Sequence, residues 1–478
     1  MNGVRQYFVA NAVSVGSGLL SLIIFVRVFS PAEYGELSLI TGAIGLAVIV
    51  GTAGLPQSAV RFYWSMEARG RDREFTGSVL VGGAAIAALV SLGLVALPGT
   101  ALSVAGDAGV RGLLAVAAVA VFWTCVGDLL VGFSRARHET RWYNGAVSLR
   151  RVLALGGSLA LTVGAGLGLH GFLWGQALGE MAACLVLLRK AQPRLSWRFD
   201  RDIFLRSLTY GGPHLLVVGS GLVLSIVDRY VIQFLLGADA VGVYVVRYTV
   251  AGTLSGLVTR PFNLYLFPAY TKTWETQGAV ATSALLARAS ELFLMVYVPL
   301  AVGAYVLEER VVALVAPGGY GAGARVVGMV FLALVFHGLS MISAAGLYLT
   351  AGTGKVGLVT LAAAALNIGL NLFAVPRWGI VGAAAVTLIT YAAQYAGLTA
   401  LSWRTLPVAF PARSLCRYLV AGAVMIAVTV WVIRQELAPM LLGPLAGAVS
   451  YGAVLMLVDR NARALALQVA GRSLELRS

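Results

Sequence analysis

The sequence predicts an all-α, polytopic membrane protein of about 14 transmembrane helices, and three observations carry that expectation. Of its 478 residues 59% are hydrophobic and only 12% are charged, against roughly 25% charged in soluble domains. Mean hydropathy is +0.86. Apolar runs of about 20 residues, enough to cross ~30 Å of hydrocarbon at ~1.5 Å per residue, recur from end to end. The 57 glycines fit this class, because small residues let helix backbones approach closely in lipid.

Taken in order, the runs place spans near 7–28, 35–58, 76–97, 110–132, 143–167, 170–188, 207–236, 241–261, 286–307, 326–349, 356–375, 380–402, 418–434 and 442–458. Gly, Pro and charged residues mark the breaks between them. Val9 to Phe29 follows Arg5 and meets no small-residue cleavage site, so it reads as a retained first helix and not a signal peptide. The longest connection on the N-terminal side, RKAQPRLSWRFDRDIFLR (189–206), falls near mid-chain. It divides the chain into an N-lobe (1–190, six helices), a linker (191–206), a C-lobe (207–402, six helices), and two further helices with a tail (403–478).

Net charge is +15. In a chain this apolar, that excess reports orientation and not nucleic-acid binding. Lys and Arg concentrate in alternate loops, among them Arg69, Arg71 and Arg73, Arg135, Arg137 and Arg141, Arg189 to Arg206, and Arg404 to Arg417. Cytoplasmic loops hold such an excess. Both termini are therefore expected in the cytoplasm, in a multi-pass protein of the cell (inner, cytoplasmic) membrane.

Internal repetition supports two lobes. Phe29-Ser-Pro-Ala-Glu-Tyr-Gly35 and Leu236-Gly-Ala-Asp-Ala-Val-Gly242 occupy the same turn after the first helix of each half. Gly168-Leu-His-Gly171 and Gly379-Ile-Val-Gly382 do so before the sixth. The order runs the same way in both halves, so the repeats are parallel, related by an axis along the membrane normal.

No catalytic signature is present. Gly354-Lys355 lacks the spacing of a phosphate-binding loop, and Gly166-Leu-Gly-Leu-His-Gly171 fits a dinucleotide pattern only literally, since it follows no strand. Cys125, Cys184 and Cys416 are far apart and predict neither a disulfide nor a metal site. His138, His170, His214 and His337 are scattered and read as interfacial or helix-bonded residues. No metal and no cofactor is expected.

The informative residues are charges at membrane depth, which are costly unless they face a partner, the bundle interior or a wet cavity. Arg27, Arg61, Arg150, Arg151, Arg229, Arg247 and Arg260 form a candidate basic ladder for an anionic head group, phosphate above all. For Arg27, Arg61 and Arg260, at helix ends, snorkelling to the interface is an equal alternative, and it carries less weight for the deeper Arg229 and Arg247. Asp128, Glu180 and Asp228 are candidates to bind a coupling proton or cation, with neutralisation by a neighbouring arginine the competing role. Asn367 and Asn371, four apart, share a helix face and suit interhelical hydrogen bonding.

The stretch LSIVDRYVIQFLLGADAVGVYVV resembles the helix-seven to helix-eight signature of the polysaccharide transporter branch of the MOP exporters (multidrug/oligosaccharidyl-lipid/polysaccharide). FVRVFSPAEYGELSLI, GLPQSAVRFY, Leu366 to Asn371 and Pro376 to Ala385 are similar to further motifs of that branch, in order and nearly throughout the chain. The resemblance implies an O-antigen-type (Wzx-like) flippase. It would carry an undecaprenyl-diphosphate-linked oligosaccharide, by alternating access, for surface polysaccharide and lipopolysaccharide biosynthesis. Its partners would be the lipid-linked oligosaccharide, membrane lipids and glycan polymerase or export machinery. The rival readings are a peptidoglycan-precursor flippase and a drug/cation antiporter of the same superfamily. A membrane glycosyltransferase or polymerase is disfavoured, because the outer loop from Glu308 to Arg325 is short for a catalytic one.

Overall fold

A computed structural model describes residues 16–96, 107–192, 196, 198–316, 318, 320–321, 325–350, 352–434, 442–459 and 462–463, with the side chains of 107–111, 140 and 141 excepted. Among the described residues there is no strand, and the chain is an all-helical membrane protein. Residues 7–15 of the expected first span, and most of the tail after 459, lie outside the described residues.

The helices are α1 (Gly16–Val28), α2 (Pro31–Thr52), α3 (Leu55–Glu67), α4 (Asp72–Ala96), α5 (Asp107–Ala136), α6 (Thr140–Leu159) and α7 (Gly168–Ala191). They continue with α8 (Arg201–Leu236), α9 (Ala238–Val306), α10 (Glu308–Val315), α11 (Val326–Ser343), α12 (Ala345–Leu349), α13 (Thr353–Trp403), α14 (Ala412–Arg434) and α15 (Leu442–Val458). By contacts the chain forms two compact units. The first comprises residues 1–246, 315–321 and 353–383; the second comprises 247–314, 322–352 and 384–478.

The structure departs from the expected spans in two places and keeps the expected break in a third. The span expected over 35–58 stops at Thr52, because Ala53 (φ 49°) and Gly54 (φ 68°) turn left-handed and Pro56 opens α3. Proline fits a first turn, where its missing N–H leaves no bond unmade. The connection expected over 262–285 is helical, so α9 runs for 69 residues. It bends only at Gly278 (φ 78°), a conformation that glycine adopts without steric cost. Its 238–277 arm is about 60 Å long, twice the hydrocarbon thickness. In α13 the break comes at Gly379 (φ 56°), between the two spans expected there.

Local chemistry sets the helix ends in the first unit. Ser30 and Glu33 form a capping box at α2: the Glu33 N–H donates to Ser30 Oγ (3.3 Å) and the Ser30 N–H to Glu33 Oε2 (2.8 Å). Asp200 caps α8, accepting from the N–H groups of Asp202 (2.8 Å) and Ile203 (3.0 Å), and also takes Arg71 Nη2 at 2.6 Å. The Asp200 N–H donates to Ser78 Oγ (2.8 Å), so the end of the mid-chain linker is tied to the start of α4.

Packing then relies on glycine. A Cβ on Gly35 would strike the carbonyl oxygen of Ala238, and one on Gly242 would strike that of Pro31. The two turns matched in the sequence therefore meet reciprocally. On α8, a Cβ on Gly211 would come within 2.6 Å of the Gly54 backbone, so α2 is met at backbone distance by the start of α9 near its own start and by α8 just past its end. Gly171, Gly175 and Gly179 make a similar seam on α7, against the backbone of α6 and the π-turn (Ala160–Gly164) that follows it.

In the second unit the buried Glu308 is an anchor. Its Oε1 accepts from the N–H groups of Val326 (2.8 Å) and Val327 (3.0 Å), and its Oε2 from Gly328 (3.3 Å), which caps α11 from another helix. The last two helices pack on each other and on 279–306: Ser414 Oγ donates to Glu291 (2.5 Å) and the Tyr451 hydroxyl to the Met295 carbonyl (2.9 Å).

Gly35→Ala is expected to destabilise the protein by about 1–3 kcal/mol through overpacking. Gly93→Ala, where nothing lies within 4 Å of an added Cβ, should be neutral or mildly stabilising; thermal unfolding of the purified pair in detergent measures the contrast.

The Ile203 N–H and the Arg71 guanidinium hold the Asp200 carboxyl below the usual carboxylate range. A carboxyl depressed on folding stabilises above its unfolded value of about 3.9, and that stabilisation is lost as pH falls through the folded value. Asp200→Asn keeps a capping side chain but does not titrate. Its melting temperature should therefore fall less than the wild type's between pH 7 and pH 3.

Candidate functional site

Charges in the apolar interior of the first unit are grouped. Arg150 on α6 reaches two carboxylates at once. Its Nη1 donates to Asp128 Oδ1 of α5 at 2.7 Å and its Nε to Glu180 Oε2 of α7 at 2.5 Å. The Arg150 and Glu180 side chains are only 13% and 16% exposed. Three of the predicted site residues thus come together: two proposed coupling acids share one proposed cavity cation, and the group carries net −1. Arg151, about 100° round the helix, is exposed.

Asp228 of α8 is 1% exposed. Its carboxylate accepts from the Tyr244 hydroxyl of α9 (2.5 Å) and from the N–H of Arg229 (2.9 Å). Arg229 reaches the other way, its Nη1 donating to Ser38 Oγ on α2 at 2.9 Å, while the Tyr230 hydroxyl donates to the Leu39 carbonyl (2.9 Å). These polar groups lie along the α2–α8 contact that the glycines open.

The other predicted cations are dispersed. Arg27 is exposed and donates to the Ile23 carbonyl of its own helix (2.8 Å). Arg61 is exposed, with its guanidinium 5.9 Å from the Phe62 ring centroid. Arg260 is exposed as well. Arg247, in the second unit, is 2% exposed and lies 3.7 Å from Glu308, the residue that caps α11. Glu308 was missed as a partner. Its signal was present, an acid directly after the apolar run of α9, but its target is set by tertiary packing. Asn367 and Asn371 are both fully buried, and Asn371 Nδ2 donates to Asn367 Oδ1 along α13 (2.7 Å).

A cavity of about 280 Å³ lies in the first unit between the ends of α2 and α5, the start of α3, α6 and α8. Its polar walls are Thr52, Gln57, Asp128, Arg135, Tyr143 and His214. Asp128 thus joins the Arg150 group to the cavity, and His214, read from the sequence as incidental, is on its wall. Among the described residues no group of three His, Cys, Asp or Glu side chains is placed to hold a metal ion.

The fold is that of a membrane transporter. It is similar to the lipid II flippase MurJ in an inward closed conformation (TM-score 0.78, 15% identity, covering 95% of this chain and 99% of that one). It is also similar to an inward-facing multidrug resistance MATE transporter of the MOP superfamily (0.64, 15%, 83% and 94%) and to a MATE transporter of Vibrio cholerae (0.58, 16%, 84% and 97%). No curated protein matches the chain in sequence. Residues 2–274 match the family described as polysaccharide biosynthesis protein, and the chain belongs to that family. The resemblance stated from its motifs, to the polysaccharide branch of the MOP superfamily, agrees with both findings.

Arg150→Ala leaves the part-buried Glu180 and the more exposed Asp128 without their cation and is expected to destabilise the protein by about 1–3 kcal/mol. Arg61→Ala, at an exposed site, should stay within about 0.5 kcal/mol. Thermal unfolding in detergent, with wild type as reference, compares the two.

Proposed function

We propose that the protein is a flippase that moves an undecaprenyl-diphosphate-linked oligosaccharide across the cytoplasmic membrane, from the inner to the outer leaflet, for assembly of a surface polysaccharide such as O-antigen. The observation that carries this reading is the family match over residues 2–274, made by a chain whose fold is also found in a lipid II flippase. The chemistry agrees with it. A diphosphate requires cations, and within the first unit Arg229, Arg27 and Arg61 are the candidates to supply them. Two six-helix lobes related by the parallel repeat would admit the cargo alternately from either side, with both termini in the cytoplasm. On this reading the protein is a carrier and not an enzyme, and it hands its cargo to a glycan polymerase or export machinery.

A second reading, a peptidoglycan-precursor flippase, is favoured by the similarity to lipid II flippase MurJ along nearly the whole chain. Rescue of cells depleted of their lipid II flippase by this protein would support it over the first.

In a strain lacking this protein, a wild-type copy should restore surface glycan. An Arg229→Ala copy should restore at least about tenfold less, because a charge-assisted hydrogen bond contributes about 1.5–3 kcal/mol. Membrane levels of the two proteins should match. Equal export by the variant contradicts a role for Arg229, and normal glycan in the deletion strain contradicts the proposed cargo.

A further inference from the structure

Building on the flippase reading, we infer that the 280 Å³ cavity of the first unit binds a sugar residue of the cargo, adjacent to its diphosphate, with Gln57, Asp128 and His214 as recognition residues. Four ligand chemistries can be compared against its walls. A diphosphate fits poorly. The cavity's one wall arginine, Arg135, is matched by the Asp128 carboxylate, and the nearby Arg150 serves Glu180 as well as Asp128. The local charge is therefore not positive, and a dianion or trianion would face a carboxylate. A divalent metal fits poorly too, since no third acidic, His or Cys ligand joins Asp128 and His214 among the described residues. A polyprenyl tail would strip water from six polar side chains and return no hydrogen bond, at a cost of about 1–3 kcal/mol for each group.

A neutral, polyhydroxylated ring matches on each count. Hydroxyls both donate and accept, so they require walls that do both. Arg135 donates, Asp128 accepts, and Gln57, Thr52, Tyr143 and His214 can do either. Val131, Leu215 and Val218 supply apolar wall for the C–H faces of the ring. The volume is at the small end of ligand pockets, roughly 300–1,000 Å³, which limits the occupant to one or two rings. Asp128 is held in place as an acceptor, because Arg150 pins its Oδ1 while its side chain stays 36% exposed. An acceptor fixed in advance binds without the cost of ordering it. The cavity also lies at the ends of α2 and α5 and in the first half of α8. The proposed topology puts those ends on the cytoplasmic side, where the cargo is loaded.

The test measures binding of two probes to the purified protein in lipid nanodiscs: undecaprenyl diphosphate, and the same lipid bearing one N-acetylhexosamine. Wild type should bind the sugar-bearing lipid about tenfold more tightly, the equivalent of one or two net hydrogen bonds. Gln57→Ala and His214→Ala should reduce that preference to within about twofold while binding the bare lipid as wild type does, which also shows that they are folded. Should one variant lose both lipids, the other decides. Retention of the full preference by both variants overturns the inference. Equal wild-type affinity for the two lipids overturns it while leaving the flippase reading intact. Binding of neither lipid by wild type overturns both.

Discussion

The first unit depends on one constraint, the approach of α8 and the start of α9 to α2 at backbone distance. Gly35 lies against the Ala238 carbonyl and Gly242 against the Pro31 carbonyl, and at the other end of α2 Gly211 lies against Gly54. The same spacing in sequence separates Pro31 from Ala238 as separates Gly35 from Gly242. The contact is therefore what two copies of one ancestral turn would make across a local two-fold axis. In lipid, apolar side chains have no water to escape, so association has to come from close packing and polar contacts between helices. Glycine provides the first. Arg229 to Ser38 and Tyr230 to the Leu39 carbonyl provide the second, along the same seam. A side chain at Gly35 would push the helices apart and stretch those polar contacts together.

The interior charges follow a related rule. An ionised group away from water needs a partner whose geometry is nearly ideal. The deep charges described above meet partners of different kinds. Arg150 is shared by two acids, Asp228 takes a tyrosine hydroxyl, and Arg247 lies beside the carboxylate that caps α11. The Arg247–Glu308 pair shows how structural such a charge can be. Glu308 accepts three backbone N–H groups at the start of α11, so removing either partner disturbs a helix end as well as an ion pair. The Arg150 group differs because one of its acids reaches a polar cavity, which gives a structural cluster a surface that a ligand can meet.

Much of the fold is legible in the sequence because its causes are local or compositional. Apolar run length marks the helices, and Gly379 marks the break in α13. The elbow at Ala53–Gly54 was also written there, in Gly54-Leu-Pro56, but an apolar run continuing past it masked the signal. The helical course of 262–285 was hidden for the opposite reason. Pro261, Pro268 and a polar stretch imitate a loop, although α9 accommodates both prolines within one helix. The site was less legible. The residue types were identifiable as costly in lipid, but their partners come from helices far apart in sequence. Nothing local joins Arg150 to Asp128 and Glu180, or sets His214 across a cavity from Asp128. A ladder of arginines was the simplest arrangement of the charges along the chain; in three dimensions Arg150 joins two acids, Arg247 lies beside Glu308, Arg229 bonds Ser38, and Arg27, Arg61, Arg151 and Arg260 are exposed.

On the proposed function, helices held together by glycine seams and paired charges carry a glycan on its lipid across the membrane. The measurement that tests it most directly is translocation by the purified protein. Proteoliposomes loaded with a fluorescent undecaprenyl-diphosphate-linked saccharide, labelled in the sugar, are exposed to a quencher that does not cross the bilayer. The account predicts that the protein exposes inner-leaflet label to the quencher faster than protein-free liposomes do. A rate equal to that of protein-free liposomes would contradict it.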